Sequence, residues 1–406
     1  MLGWEFPPSF AGGVGVVCES LTRALAGRGS EIVYLMPQPP DAAGGPRVRL
    51  LPARRRRRAP GLRLIGLPSV LRSYAFDAGP ARAFSVPGEE REPRALARPL
   101  YGPDLLSEVE RFAEASAERA REEGLAFDVI HAHDWTTFRA GLALKRLSGR
   151  PLAVHVHITE FDKSGGSHAD PRVFALEREG MLGADRVLAV SRRVAERCIA
   201  TYGVDPQRVR VVYNAVEPDL RELTPVPLGD AVVLFLGRVT LQKGPNYFVE
   251  AARRVLEREP RVTFVLAGNG DMLPRMIERA AELGLGSHML FPGFVNRDRA
   301  AALYASADVF VMPSVSEPFG IVPLEAMDRG VPVIVSRQSG VGELVRNVLK
   351  VDFWDVDGLA EKILAALRYP GLARELRERG KQEVGGISWS SVAERVESIY
   401  REMLHA

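Results

Sequence analysis

Two glutamates carry the clearest chemical signal in the chain. Glu317 and Glu325 stand eight residues apart in a segment that follows one predicted strand and opens a predicted helix at 319–329. At about 100° per residue, that separation leaves the side chains roughly 80° apart and two turns along, so they cannot share one helix face closely. Glu317 is therefore expected on the loop before the helix, and Glu325 two turns inside it. Amides near Phe319 and Gly320 would point out from the helix start and hold phosphate, while a carboxylate accepts sugar hydroxyls.

Two cations follow another predicted strand. Arg238 comes directly after Gly237 at the strand end, and Lys243 follows five residues later at a helix start. This spacing predicts that both lie at the carboxyl edge of a sheet, where a guanidinium fork and a compact ammonium group suit a diphosphate. The chain has six lysines among its 54 basic residues, which makes a lysine at this position informative. A solvated pair on a surface loop is the alternative.

Glycines mark further candidate sites at strand ends. Gly12 and Gly13 precede a predicted helix, where close backbone approach and free amides favour an anion. Their spacing matches neither a dinucleotide fingerprint nor a P-loop, and a tight turn is the alternative. Gly268 and Gly270 follow one strand and Val295 follows another, where they would bound a nucleotide base.

Four of the seven histidines form two alternating pairs, His131 with His133 and His155 with His157. On a strand, residues two apart share a face, so a metal site is conceivable. No cysteine and no H-E-x-x-H pattern accompanies the pairs, and we predict no metal here. His157 is instead expected in the cleft as a hydrogen-bonding partner of a substrate hydroxyl, and His133 in a capping and packing cluster with Asp134.

The elements that must position these residues alternate along the chain. Short apolar runs are followed by amphipathic stretches, a pattern typical of parallel sheets with helices on both faces. Two such series flank residues 217–230, where three prolines predict a linker. We therefore expect two doubly wound α/β domains with a ligand cleft between them. Residues 37–103, with an arginine run at 54–58, are interpreted as a variable insertion with a solvated loop; an anionic membrane or polyanion patch is the alternative.

Composition limits the class of protein. The 406 residues are 46% hydrophobic and 26% charged with a net charge of +3, which excludes a disordered or collagen-like chain and gives no reason to expect a nucleic-acid partner. Two cysteines, Cys18 and Cys198, cannot form a disulfide framework. The sequence has no apolar run of 18 residues and no leader-like segment, so we expect a cytoplasmic protein without a transmembrane span.

Together these motifs resemble the family 4 retaining glycosyltransferases of GT-B fold, and among them the bacterial and archaeal glycogen synthases. The resemblance covers nearly the whole chain except about residues 40–105. It rests on the Glu-x7-Glu segment, the Gly-Arg and Lys-Gly pairs, and four short motifs: Trp4-Glu5-Phe6-Pro7-Pro8, Gly12-Gly13, His131-Ala132-His133-Asp134-Trp135 and Tyr213-Asn214-Ala215-Val216.

The resemblance implies an architecture and a role for each matching residue. Residues 1–217 would form an acceptor-side Rossmann-like domain, 231–387 a donor-binding one, and 388–406 a C-terminal helix that crosses back to the first. Arg238 and Lys243 would bind the donor diphosphate, Glu317 and His157 the transferred sugar, and Glu325 the ribose hydroxyls. Further donor-side residues would be Gly12, Gly13, Gly237, Gly268, Gly270, Val295, Phe319, Gly320 and Ile321.

The activity implied is metal-independent transfer of a hexose, expected to be glucose, from a UDP- or ADP-sugar to a glycan such as an α-1,4-glucan, with no cofactor. Transfer to another sugar or to a cell-envelope acceptor is one alternative. A nucleotide-sugar epimerase, a pyridoxal-phosphate phosphorylase and a non-catalytic nucleotide-sugar-binding protein are others. The motifs themselves are not specific to one donor or acceptor, and the oligomeric state is not predicted.

Two segments depart from the family pattern. The chain begins at Met1, so most of the expected first strand before Trp4 is missing; either the start codon is misassigned or the strand is short, at the edge or the centre of its sheet. The usual Gly-Gly-x-x-Glu appears as Ser339-Gly340-Val341-Gly342-Glu343, which retains Glu343.

Overall fold

Strands and helices alternate in the computed structural model, which describes residues 1–7, 12–37, 48–51, 62–66, 105–165, 169–219, 221 and 224–405. The strands are β1 Ile32–Met36, β2 Val48–Leu51, β3 Leu62–Gly66, β4 Ile130–His133, β5 Leu152–Val156, β6 Arg186–Ala189, β7 Val209–Val211, β8 Ala231–Leu236, β9 Val262–Ala267, β10 Met289–Gly293, β11 Val309–Met312, β12 Val333–Ser336 and β13 Leu349–Val351. The helices are α1 Gly13–Gly27, α2 Leu105–Glu122, α3 Trp135–Ser148, α4 Glu160–Lys163, α5 Pro171–Gly183, α6 Arg192–Ala200, α7 Pro245–Leu256, α8 Leu273–Glu282, α9 Arg297–Ser306, α10 Val322–Asp328, α11 Val341–Leu344, α12 Val356–Arg368, α13 Pro370–Gly385 and α14 Trp389–Leu404.

The first sheet, which defines the N-terminal half, is parallel throughout. Its two groups of strands, β2-β3-β1 and β4-β5-β6-β7, are joined by the backbone around Leu2, which bridges both Leu35 and Ala132. The Leu2 amide donates to the His131 carbonyl at 2.8 Å, and the His133 amide donates to the Leu2 carbonyl at 3.0 Å. The short first strand therefore lies at the centre of the sheet.

The second sheet, which defines the C-terminal half, has the order β10-β9-β8-β11-β12-β13, with every pair parallel. This is the doubly wound order 3-2-1-4-5-6, in which the order of the strands reverses between the first and the fourth, here β8 and β11. Because helices cover both faces, these strands are almost continuously apolar, and Leu234, Phe264 and Phe310 are fully buried. The predicted fold class is confirmed.

Helix α14 returns to the N-terminal half. Its apolar residues recur at helical spacing, and Val396 and Ile399 share a core with Val17 and Leu21 of α1. Two ion pairs fasten the same helix, because Glu397 accepts from Arg28 at 3.0 Å and Glu402 accepts from Arg210 at 3.0 Å. Helix α13, in contrast, packs against α10 and α12 of the C-terminal half.

Some elements differ from the sequence prediction. The region interpreted as an insertion contains two strands, β2 and β3, which were not predicted because their apolar runs are short and lie among prolines and arginines. The arginine run 54–58 lies outside the described residues. Strand β4 ends at His133, two residues later than predicted. The short strand β13 and helix α12 were not predicted. In the part of the chain that the structure describes, no helix is long and apolar enough to cross a membrane.

Candidate active site

The reversal between β8 and β11 brings two predicted segments together. The loop after β8 carries Arg238 and Lys243, and the loop after β11 carries Glu317. The two loops are bonded through Gln242, a buried residue whose carbonyl accepts from the Val315 amide at 2.9 Å. The Gln242 side chain accepts from Arg238 Nη2 at 3.4 Å. The structure thus joins the two strongest sequence signals at the position where doubly wound sheets bind ligands.

Lys243 and Glu317 form a salt bridge between these loops. Lys243 Nζ donates to Glu317 Oε2, and the Ser314 hydroxyl donates to the same oxygen at 3.4 Å. The two side chains keep 17% and 8% of their full exposure, so little water screens their charges. The bridge therefore fixes both side chains before any ligand binds.

Gly268 and Gly270 support the loop that carries Arg238. A Cβ at Gly268, where φ is +142°, would lie 1.7 Å from the Gly237 carbonyl oxygen, and a Cβ at Gly270 would lie 2.2 Å from the Val239 carbonyl oxygen. The Val239 amide also donates to the Asn269 carbonyl at 2.9 Å. These glycines are needed for close backbone packing, and their contact with a nucleotide base stays a prediction.

The helix after Glu317 begins later than expected. Gly320 adopts a φ of +98°, which is incompatible with an α-helix, and α10 starts at Val322 with a proline in its first turn. Glu325 consequently lies in the first turn of α10 and not two turns inside it. The amides of Phe319 and Gly320 belong to a turn that precedes the helix.

Glu325 is held by a tyrosine. The Tyr304 hydroxyl donates to Glu325 Oε2 at 2.8 Å, which ties α9 to α10. Burial raises the pKa of Glu325, and the Tyr304 hydrogen bond opposes that rise. Among the other predicted donor-side residues, Phe319 is buried, whereas Val295 and Ile321 are half-buried against the core.

The segment that departs from the family pattern supports Glu317 through its backbone. The Glu317 amide donates to the Gln338 carbonyl at 3.0 Å, and the Gly340 amide donates to the Glu317 carbonyl at 2.9 Å. A Cβ at Gly340 would lie 2.1 Å from the Pro318 carbonyl oxygen and 2.7 Å from Ser191 Cβ of the N-terminal half. Gly340 therefore allows the two halves to meet beside Glu317.

The N-terminal half contributes two buried carboxyl groups that sequence analysis did not assign to the site. Burial raises the pKa of Asp134 to about 7, although its Oδ1 accepts from the His157 amide at 2.8 Å. Burial also raises the pKa of Glu5 to about 7, with a further rise from Asp134, while the charge of Arg238 opposes it. Both residues follow strands of the first sheet at its carboxyl edge, and that position was the signal available in the sequence.

Glu5 also accounts for part of the glycine motif at the start of α1. The Gly15 amide donates to the Glu5 carboxyl group. A Cβ at Gly12 would lie 3.2 Å from Glu5 Oε2, whereas Gly13 has open space around it. The amide end of α1 is thus partly satisfied by an internal carboxyl group, and Gly13 is the glycine that leaves room for a ligand.

The four histidines form one buried array. His131 Nε2 lies 3.3 Å from His155 Nδ1, and His133 Nδ1 lies 2.9 Å from His157 Nε2. His131 Nδ1 also lies 2.5 Å from the hydroxyl of Tyr400 on α14. His133 thus packs within this array as expected of a packing cluster, whereas the predicted capping is absent because the Asp134 side chain makes no cap bond to α3.

The array favours neutral imidazoles. Burial lowers the pKa of all four rings. The ligand atoms of His131, His133 and His155 lie within 4.8 Å of one another, as do those of Cys18, His133 and His157. The close nitrogens within each hydrogen-bonded pair point at each other, whereas His133 Nε2, His155 Nε2 and His157 Nδ1 are buried without a hydrogen-bond partner among the described residues. The arrangement is suited to orienting His157.

Replacement of Glu5 by glutamine is expected to flatten the pH dependence of stability. The native carboxyl group holds its proton up to about pH 7, whereas its ordinary pKa is 4.5, so the native state binds more protons than the unfolded chain in this window. Stability contributed by the protonated group is therefore lost as pH rises. The melting temperature of the wild type should fall more between pH 5 and 8 than that of Glu5→Gln, whereas the exposed control Glu31→Gln should follow the wild type. Parallel curves for all three proteins would contradict this assignment.

Two family models match adjoining, slightly overlapping parts of the chain. Residues 74–220 match "Glycosyltransferase Family 4" and residues 216–383 match "Glycosyl transferases group 1". An uncharacterized glycosyltransferase, MJ1607 of Methanocaldococcus jannaschii, is 28% identical over 99% of this chain and 97% of its own length. A D-inositol 3-phosphate glycosyltransferase of Acidothermus cellulolyticus is 32% identical over 71% of this chain and 70% of its own length. A glycogen synthase of Mycobacterium tuberculosis is 25% identical over 98% and 93%.

Solved structures share the fold. The sucrose-phosphate synthase of Thermosynechococcus elongatus superposes with a TM-score of 0.74 at 22% identity, over 100% of this chain and 98% of that one. The Anabaena protein HepE, solved in complex with UDP and glucose, gives a TM-score of 0.70 at 17% identity, over 99% and 98%. At this identity the likeness concerns the architecture alone.

Proposed function

Because the chain belongs to the family 4 glycosyltransferases of GT-B fold, we propose that it transfers a hexose from a nucleoside-diphosphate sugar to an acceptor hydroxyl, with retention of configuration and without a metal ion. The observation that carries this proposal is the cluster of Arg238, Lys243 and Glu317 where the strand order reverses between β8 and β11. The two cations there match the negative charges of a diphosphate, and the carboxylate can accept hydrogen bonds from the hydroxyls of a sugar.

The two cations act on the leaving group. Negative charge accumulates on the diphosphate as the bond between the sugar and phosphate oxygen breaks, and preorganised cations stabilise that charge most where water is excluded. Lys243 is bonded to Glu317 in the structure, so an entering phosphate competes for its ammonium group. Transfer of that bond to the phosphate frees Glu317 to accept hydroxyls of the donor sugar. The fixed positive charges supply the role that a metal ion has in other diphosphate sites.

Retention follows if the acceptor attacks the face that the diphosphate leaves. The departing phosphate oxygen can take the acceptor proton on that face, so no protein nucleophile is required and the two-carboxylate scheme of glycosidases does not apply. His157 Nε2 is engaged by His133, which leaves Nδ1 for a hydroxyl of the transferred sugar. Glu325 is proposed to accept the ribose hydroxyls, and closure of the two halves is proposed to exclude water.

The relatives suggest two classes of acceptor. A neutral α-1,4-glucan corresponds to the glycogen synthases, and a phosphorylated polyol corresponds to the D-inositol 3-phosphate glycosyltransferases. Glucose from UDP or ADP is the proposed donor, with support from the UDP and glucose in the HepE structure. A cell-envelope acceptor is the remaining alternative.

A donor screen tests the proposal. UDP-glucose and ADP-glucose are each incubated with glycogen, maltohexaose, inositol phosphate and no acceptor, and released nucleoside diphosphate is measured with and without EDTA. We expect release that depends on acceptor, an α-linked product by proton NMR, and the same rate with EDTA. Release of sugar without acceptor would identify an epimerase or hydrolase, and donor binding without turnover would identify a binding protein. A β-linked product or loss of activity with EDTA would overturn the proposed mechanism.

A further inference from the structure

A cavity of about 380 Å³ opens between the two halves of the molecule. Its N-terminal wall is the start of α6, and its C-terminal wall includes the segment between β12 and α11. The charged residues of its lining are Arg192, Arg193, Glu196, Arg337, Glu343 and Lys350. Cations thus outnumber carboxylates around a space of the size that holds a small ligand.

The carboxylate of Glu343 is already compensated. It accepts from the Arg192 amide at 2.7 Å and the Arg193 amide at 3.0 Å, which lie at the start of α6. The Tyr213 hydroxyl donates to the same group at 3.2 Å. Because a helix start carries partial positive charge, Glu343 neutralises the end of α6 and contributes little negative charge to the cavity.

The cations of the cavity are only weakly compensated. Among the described residues, the side chains of Arg192, Arg193 and Lys350 form no salt bridge. The Arg192 side chain is hydrogen-bonded with Tyr213, and Lys350 Nζ donates to the Gly342 carbonyl at 2.6 Å. Arg193 Nε is buried and has no hydrogen-bond partner there. Arg337 lies 3.8 Å from Asp352, and its side chain is 59% exposed. The unpartnered Arg193 Nε and the exposed guanidinium group of Arg337 are therefore the donors that face an entering anion most freely.

The cavity adjoins the catalytic cluster. Ser339 and Gly342 line it, and the intervening Gly340 is bonded to the backbone of Glu317. On the opposite wall, α6 follows β6, which pairs with β5, the strand that leads into His157. A molecule bound in the cavity therefore contacts the segment that is hydrogen-bonded to the Glu317 backbone. It also contacts the helix that follows β6, the strand beside the one that leads into His157.

We propose that this cavity binds a phosphate monoester of the acceptor, so that the acceptor is a phosphorylated sugar or polyol and not a neutral glucan. A dianionic phosphate matches the excess of positive charge around the cavity, and one guanidinium group can bind two phosphate oxygens at once. The inference rests on the proposed transferase activity, because it names the acceptor for the site that holds Arg238, Lys243 and Glu317.

The test compares acceptors that differ by one phosphate. Fructose 6-phosphate with fructose, glucose 6-phosphate with glucose, and myo-inositol 1-phosphate with myo-inositol are assayed beside maltohexaose, with the donor that supports turnover. We expect at least one phosphorylated member to exceed its neutral partner by about 100-fold in kcat/KM, as expected for two charge-assisted hydrogen bonds. Equal rates within every pair, or a clear preference for maltohexaose, would overturn the inference and leave the transferase activity standing.

Variants locate the effect. Arg337→Gln and Lys350→Gln are each expected to raise KM for the phosphorylated acceptor about tenfold, whereas the exposed control Arg374→Gln on α13 should not. A fall in kcat with unchanged KM, or an equal loss with the neutral acceptor, would contradict binding of the phosphate in this cavity. Inorganic phosphate is titrated by calorimetry as a separate arm; affinity equal to that of the sugar phosphates would identify a free-anion site instead. If no acceptor of either class releases nucleoside diphosphate, the proposed function fails and the acceptor inference fails with it.

Discussion

Lys243→Ala is expected to lower kcat by about 10²- to 10³-fold, the usual loss when one preorganised group that stabilises transition-state charge is removed. Lys243 is largely buried beside Glu317, where its charge is poorly screened and its position is fixed. The lost interaction strengthens as phosphate charge develops, so kcat should fall more than donor affinity. Steady-state release of nucleoside diphosphate at saturating donor measures the effect. The exposed lysine variant Lys381→Ala on α13 is the matched control and should retain wild-type rates.

A second variant separates catalysis from structure. Lys243→Ala leaves the Glu317 carboxylate buried without its cation, and that alone destabilises the loop. The double variant Lys243→Ala/Glu317→Gln removes the unpaired charge, so its melting temperature should recover while kcat stays low. Recovery of activity together with stability would mean that Lys243 serves only to neutralise Glu317. Near-normal turnover by the single variant with wild-type KM would contradict its catalytic role directly.

Gly268→Ala is expected to reduce activity by at least about 100-fold although residue 268 carries no reactive group. The new Cβ would lie 1.7 Å from the Gly237 carbonyl oxygen, and φ is +142°, so the backbone must move. Gly237 precedes Arg238, and a displacement of about 1 Å in a positioning element costs on the order of 10²-fold in rate. Turnover measures the loss of activity that the displacement causes, and the melting temperature measures its effect on stability.

Gly286→Ala provides the control for this substitution. Gly286 lies after α8 in the same half, and an added Cβ there would meet nothing within 4 Å. Alanine should therefore be neutral or slightly stabilising, because it reduces the freedom of the unfolded chain. If Gly268→Ala and Gly286→Ala behave alike, the close packing of the 268–270 loop against Gly237 does not position Arg238.

The parts of the site that sequence reasoning found are those encoded by local pattern. A strand end followed by a glycine, a cation or a carboxylate is visible in the chain, and it located Arg238, Lys243 and Glu317. Their salt bridge was not visible, because it depends on the strand order that places β8 beside β11. The late start of α10 was missed because glycine adopts positive and negative φ about equally readily, so the positive φ of Gly320 cannot be read from the residue type.

The missed residues depend on long-range contacts. Glu5 and Asp134 approach each other because Leu2 pairs with β4 at the centre of the first sheet. The sequence pattern predicts helices and strands but not which neighbours remove a carboxyl group from water. Contacts between the two halves cannot be predicted from local sequence pattern either. The Ser316 hydroxyl, for example, donates to Asp162 at 2.8 Å, although the two residues are 154 positions apart in the chain.

The return of α14 to α1 constrains how the two halves can move. The chain passes between the halves twice, once between β7 and β8 and once between α13 and α14. A body tethered at two separate points keeps essentially one low-cost motion, rotation about the line that joins them. In the proposed closure, displacement would grow with distance from that axis, so the Lys243 loop and the His157 edge would approach each other along one arc. Stiffening either crossing would alter the rate of closure without altering any group that touches the substrates.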